Sequence, residues 1–260
     1  MENKQYRILL VDDDYLNQRM MGLVLSGGGF SCDAAFNGAE AIDAIQSQHF
    51  DLILMDLQMP IMDGYEATRR IRAWESGNSH IPIVALTAMV FDDEVQDCLD
   101  AGMDDCVVKP FDTARLLQLI DSHIENSIKS TFAIDIHGMK LEEKNSLLNI
   151  QAAISRFGND IETYKEFLAE FLQTLPHRIE EFHLMYNSRN LQSLSAKAHN
   201  LKGVAANMGA MQLSASASKL NRLSKIGELS SIEESLDECS KSVSALQDNA
   251  MIIISKYPQN

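Results

Sequence analysis

The sequence predicts an α/β domain built on a five-stranded, doubly wound parallel sheet, followed by a separate all-α domain. Three observations carry this. Up to about residue 126, short apolar runs alternate with helical patterns; beyond it strand signals vanish and helical periodicity takes over. Charge divides at the same place, with 8 Lys+Arg against 22 Asp+Glu in residues 1 to 126 and 14 against 15 in the remainder. The 260 residues suit two domains of about 100 to 200 residues each.

In the first half the apolar runs are YRILLV, SCDAAF, DLILM, IPIVAL and CVV, each followed by a helical pattern. Runs such as IPIVAL, rich in Leu and β-branched residues without alternation, fit strands buried on both faces. Asp14 stands where it can cap the first helix, and the glycines at 27 to 29 end it. Residues 127 to 148, mixing Ser, Lys, Glu and one Gly without a sustained period, read as a linker between domains at 1–126 and 149–257. The second domain reads as four long amphipathic helices, carried by IETYKEFLAEFLQTLPHRIEEFHLMY, LQSLSAKAHNLKGVAANMG, AMQLSASASKLNRLS and SIEESLDECSKSVSALQDNAMIII. Such helices with short connections make a four-helix bundle. Pro176 lies inside the first of them and predicts a kink or local break.

Composition excludes several classes. A net charge of −15 argues against nucleic acid as a direct ligand, which needs clustered Lys and Arg. The apolar stretches are too short to span a bilayer and no leader pattern opens the chain, so the expectation is a cytoplasmic protein. Cys32, Cys98, Cys106 and Cys239 have no paired spacing, which indicates neither a zinc site nor a disulfide framework.

The chemistry gathers at predicted strand ends. LLVDDD places Asp12 and Asp13 at the first, LILMD places Asp56 at the third, IVALT places Thr87 at the fourth and VVKP places Lys109 at the fifth. In an open parallel sheet the site lies outside the carboxyl ends of the strands. Carboxylates crowded there repel one another unless a cation compensates them, and hard oxygen ligands favour Mg2+. One carboxylate could then attack an incoming phosphoryl group and form an acyl phosphate.

VDDD, LMDLQMPIMDGYE, ALTA and VVKPF, in that order across residues 6 to 127, closely resemble the response-regulator receiver family, whose fold is flavodoxin-like. The resemblance implies that Asp56 is the phosphoacceptor, and that Asp12, Asp13, Asp56 and the backbone carbonyl of Gln58 hold Mg2+. It implies that Thr87 hydrogen-bonds the phosphoryl group, that Lys109 pairs with it, and that the Lys109–Pro110 peptide is cis. One position departs from the family: receivers that signal by shape usually carry Tyr or Phe where this chain has Cys106. A thiol cannot serve as that aromatic switch, which points to a receiver that passes its phosphoryl group on.

In AHNLKG, residues 198 to 203, the apolar stripe Leu194, Ala198, Leu201, Ala205 and Met208 faces the bundle core, and His199 lies about 100° round from Ala198. The expectation is an exposed imidazole, with Lys202 one turn along to balance phosphoryl charge and Gly203 leaving the ring uncovered. The segment AHNLKGVAANMGA is similar to the signature of histidine-containing phosphotransfer domains, over about residues 149 to 257. That resemblance implies that His199 is a phosphoacceptor with Lys202 and Gly203 in support. The remaining six histidines read as structural or solvated.

Together the halves predict the middle of a two-component phosphorelay. Asp56 would take a phosphoryl group from an upstream sensor histidine kinase, and His199 would hand it to a downstream response-regulator receiver. The chain shows no kinase ATP-binding segment, so kinase activity would come from outside it. Two other readings stay open: the carboxyl-terminal part of a hybrid sensor kinase, and a docking or inhibitory protein without net phosphoryl flow.

Overall fold

The computed structural model describes residues 6–75, 80–87, 92–124 and 148–255. They fall into two compact units, one on each side of the segment between 124 and 148. The expected linker, apart from Leu148, lies outside the described residues.

In the first unit, strands β1 (Arg7–Val11), β2 (Ser31–Ala35), β3 (Leu52–Asp56), β4 (Ile83–Thr87) and β5 (Asp105–Val108) alternate with helices α1 (Tyr15–Gly27), α2 (Gly38–Ser47), α3 (Gly64–Glu75), α4 (Asp92–Ala101) and α5 (Thr113–Ile124). All pairings are parallel, in the order β2-β1-β3-β4-β5. Because side chains alternate along a strand, each of the central strands β1, β3 and β4 serves two cores. Leu9, Val11, Ile53, Met55, Ile83 and Ala85 meet Ala41 and Ile45 of α2, Ala67 and Ile71 of α3 and Cys98 of α4. Their buried neighbours Ile8, Leu10, Leu52 and Leu54 turn to the opposite face, which α1 and α5 cover. Burial on both faces is the physical reason that the strands read as continuous apolar runs. The order reverses between β1 and β3, so the carboxyl ends of these two strands open onto the switch-point crevice.

Local signals hold each helix in place. Asp14 caps α1, accepting from the backbone N–H groups of Leu16 and Asn17, and Gly28 closes its other end. Asn37 caps α2 in the same way through Ala39 and Glu40.

The second unit contains α6 (Ile150–Arg156), α7 (Ile161–Asn187), α8 (Leu191–Asn207), α9 (Met211–Ile226) and α10 (Leu229–Ser255). Helices α7 to α10 pack α7 on α8, α8 on α9, α9 on α10 and α10 on α7, which closes a four-helix bundle. Tyr164, Phe167, Phe171 and Phe182 of α7 are fully buried in it, each worth about 1.5–3 kcal/mol of apolar transfer. The short α6 is an addition to the sequence reading. Its entry residue Asn149 donates to the Gly209 carbonyl at 2.8 Å, and Arg156 reaches the Ala206 and Asn207 carbonyls at the carboxyl end of α8. Gly209 has φ +78°, and a Cβ there would lie 2.6 Å from the Asn149 carbonyl, so the α8–α9 turn needs glycine on both counts.

Pro176 does not break α7, which runs continuously from Ile161 to Asn187. Proline removes the N–H that would bond the Leu172 carbonyl one turn back. That carbonyl instead accepts the Gln247 Nε2–H of α10 at 3.1 Å, so a neighbouring helix supplies the missing donor. Among the described residues no helix is long and apolar enough to cross a membrane.

Candidate functional site: an acid pocket and a bundle histidine

Five sequence-predicted residues, Asp12, Asp13, Asp56, Thr87 and Lys109, converge at the carboxyl edge of the sheet. Asp12 follows β1, Asp56 ends β3 and Lys109 follows β5. The Lys109 ammonium, only 6% exposed, donates to Asp12 Oδ2 and Asp56 Oδ2, both at 2.8 Å. Asp12, Asp13 and Asp56 each bring one carboxylate oxygen to within 4.8 Å of the others. Thr87, buried at the end of β4, accepts the Lys109 backbone N–H through its carbonyl, which holds the fifth strand's exit beside the fourth. The Lys109–Pro110 peptide is cis. The Gln58 backbone N–H donates to Asp56 Oδ1 at 3.4 Å and so stands on the rim of the pocket.

The close packing under Asp56 has a specific cause. Gly64 opens α3, and its N–H donates to the Leu57 carbonyl at 3.0 Å. A Cβ at Gly64 would lie 2.3 Å from the Asp56 carbonyl oxygen, closer than backbone tolerates, so only glycine lets α3 begin there. Next to it Ile61, 86% exposed, sits at φ +70°, an unusual conformation for a β-branched residue.

Electrostatics test whether these residues suit a divalent cation. Three carboxylates face one ammonium, which leaves negative charge in excess. Burial pushes the Asp12 carboxyl above its ordinary value, Lys109 opposes that, and the Asp56 charge adds to it. Burial alone would depress the Lys109 ammonium, but Asp12 and Asp56 more than offset it and hold it above its ordinary value. An oxygen-only donor set with surplus negative charge fits a hard cation such as Mg2+.

On the bundle, Leu194, Ala198, Leu201, Ala205 and Met208 are buried as the periodicity predicts. The expectation of an exposed imidazole needs correction, because His199 and Lys202 are half-buried and Gly203 is buried. The reason is neighbouring elements, α9 among them. Asn221 Nδ2 donates to the Ser195 carbonyl at 3.1 Å, and the Ser214 hydroxyl donates to the Lys202 carbonyl at 2.9 Å. Ser195 lies in this seam, and Gly203 and Ala206 on the same face of α8 are buried too.

Cys106 is half-buried and packs against the core shared by α2, α3 and α4. Of the other histidines, His80 pairs with Asp104 and Glu75, and His123 with Asp105. His177 lies near Glu181, and His137 falls outside the described residues. Two buried amides beside Asp12, Asn17 and Gln18, escaped the sequence reading. Polar residues in a first helical turn are ordinary, so their pattern carried no signal.

A lysine-bridged acid pocket thus lies at the switch point of the sheet, in one chain with a helical bundle. Comparison with known proteins gives the family. Residues 8–121 match the family described as response regulator receiver domain, and residues 166–249 match the Hpt domain. The chain thus carries a receiver domain followed by an Hpt domain. It is 29% identical over 255 residues to the sensor protein GacS of Pseudomonas syringae pv. syringae, covering 95% of this chain and 28% of that protein. It is 36% identical over 129 residues to the sensor histidine kinase RcsC of Escherichia coli K12, covering 50% of this chain and 13% of that one. It thus spans less than a third of these relatives. Among solved structures, the receiver domain of sensor histidine kinase PA1611 from Pseudomonas aeruginosa PAO1, with magnesium in its cleft, shares 39% identity and a TM-score of 0.44, over 46% of this chain and 98% of that one.

Proposed function

We propose that this chain is a phosphorelay module in which Asp56 accepts a phosphoryl group and His199 carries it onward. The observation that supports this most directly is the Lys109 ammonium bridging Asp12 and Asp56 in a buried pocket. Transfer begins when a carboxylate oxygen of Asp56 attacks the phosphorus of a phosphohistidine. The O–P bond forms as the P–N bond breaks, and the departing imidazole nitrogen takes up a proton. Lys109 and the Thr87 hydroxyl meet the charge on the phosphoryl oxygens. Mg2+, held by Asp12, Asp13, Asp56 and the Gln58 carbonyl, would neutralise the remaining charge. In the second step an imidazole nitrogen of His199 attacks the acyl phosphate and returns the carboxylate. Lys202, one turn away, balances the phosphohistidine charge.

The partners follow from the chemistry: a sensor histidine kinase upstream and a receiver aspartate downstream. Relatives such as GacS and RcsC, named as sensor proteins, support a donor of that class, acting from the same polypeptide or another. Cys106 in place of an aromatic switch supports onward transfer over a change of shape. The test delivers radiolabelled phosphate from a cognate kinase to the wild-type chain, Asp56→Asn and His199→Gln. Base-stable label in the wild type that is lost in both variants supports the relay. Label on His199 that persists in Asp56→Asn overturns the order.

A further inference from the structure

We infer that Asn17 and Gln18, consecutive residues in the first turns of α1, are positioning residues that set the Asp12 carboxylate for cation binding. This rests on the reading of the acid pocket as a divalent-cation site. Both residues are only 6% exposed, and both side-chain amides donate to Asp12. Asn17 Nδ2 donates to Asp12 Oδ1 at 3.2 Å, sharing that oxygen with the Asp14 backbone N–H at 2.9 Å. Asp12 Oδ2 takes the Lys109 ammonium at 2.8 Å. The carboxylate is therefore gripped at both oxygens, and its rotation about χ2 is fixed.

Gln18 acts on the main chain of the same residue. Its Nε2 donates to the Asp12 carbonyl and to the Ala35 carbonyl, both at 2.8 Å, one hydrogen to each. Asp12 lies just past the last residue of β1, and Ala35 is the last residue of β2. Besides Gln18, the Asp12 N–H reaches Ala35 at 3.2 Å. Gln18 thus clamps two strand ends at the point where they leave the sheet. Asn17 holds the acid's side chain and Gln18 holds its peptide, so α1 controls the acid from which Lys109, and through it Asp56, takes its geometry. Groups that orient a metal-ligating carboxylate commonly affect affinity about as strongly as 10- to 100-fold when removed.

The test uses the full chain and Mg2+ alone, with affinity read by titration calorimetry and folding by thermal unfolding of the metal-free protein. Asn17→Leu keeps the shape and removes the donor; it is expected to weaken Mg2+ binding about tenfold. Gln18→Met is expected to weaken it roughly three- to tenfold. A residue that acts through Asp12 has no effect once Asp12 is neutralised, so Asn17→Leu added to Asp12→Asn should weaken binding no further than Asp12→Asn alone. Unchanged affinity in folded Asn17→Leu and Gln18→Met, or an equal loss with and without the Asp12 carboxylate, overturns the inference. If Asn17→Leu does not fold, Gln18→Met in both backgrounds carries the same comparison. If Asp12→Asn itself leaves Mg2+ affinity unchanged, the cation-site reading fails, a result distinct from failure of the positioning role.

Discussion

Replacing Lys109 with methionine removes the only cation hydrogen-bonded to Asp12 and Asp56 among the described residues, while keeping the chain's bulk. Two N–O contacts of 2.8 Å are lost. At an effective dielectric of about 20 each is worth about 6 kcal/mol before solvation is counted. Desolvation of the three buried groups offsets most of this, and leaving buried carboxylates without their partner costs about 3–5 kcal/mol net. The single tryptophan, Trp74 in α3, makes the assay selective, since its fluorescence during urea unfolding reports the sheet domain and not the bundle. The pH dependence has a definite sign. Asp12 already titrates above its ordinary value because of burial, and loss of Lys109 removes an influence that lowers it. A carboxyl raised in the folded state costs stability as pH rises past about 4, and costs none below it. The penalty of Lys109→Met should therefore shrink as pH falls from 7 toward 4, and Mg2+ should recover part of it at pH 7. A loss below about 1 kcal/mol at pH 7, or a penalty that grows on acidification, would refute the electrostatic account.

Other outcomes follow from particular contacts. Gln247→Leu leaves the Leu172 carbonyl without its donor and should cost the bundle about 1–3 kcal/mol; Pro176→Ala in the same chain, by restoring a backbone N–H, should return much of it, as followed by far-ultraviolet circular dichroism. Ile61→Asn should raise the sheet domain's stability by about 1 kcal/mol in urea, because asparagine tolerates the left-handed conformation and the exposed isoleucine forfeits little burial. Gly64→Ala should destabilise by about 1–3 kcal/mol or more and slow phosphorylation of Asp56 by a small-molecule phosphodonor, since the new methyl meets the Asp56 carbonyl; wild-type stability would contradict that packing.

The sheet was legible because its central strands β1, β3 and β4 are buried on both faces, so their apolar runs are unbroken in the sequence as well as in space. Asp12, Asp13, Asp56 and Lys109 were legible for a related reason: the order of a parallel sheet puts strand ends on one edge, and the pocket forms from whatever stands there. What was illegible depended on a second element. The half-burial of His199 and the bonds of Ser214 and Asn221 in α9 to α8 carbonyls depend on neighbouring elements, which helical periodicity within α8 alone cannot reveal. Continuity of α7 through Pro176 depends on Gln247, 71 positions further on. Asn17 and Gln18 look like ordinary first-turn polar residues until their amides are found on Asp12 and Ala35. The short α6 lacks length for a periodic signal and is held by Asn149 and Arg156 against the far end of α8.

The bond from Gln247 to the Leu172 carbonyl has a consequence for how the bundle keeps its alignment. Long helices packed through apolar side chains are weakly resisted against sliding by a turn, since one set of ridges offers much the same groove as the next. A carbonyl freed by proline is different, because it occurs at one height on α7 and only one glutamine of α10 reaches it. The pair acts as a dowel, setting the axial register of two 27-residue helices. An apparent defect in α7 thereby becomes the mark against which α10 is aligned.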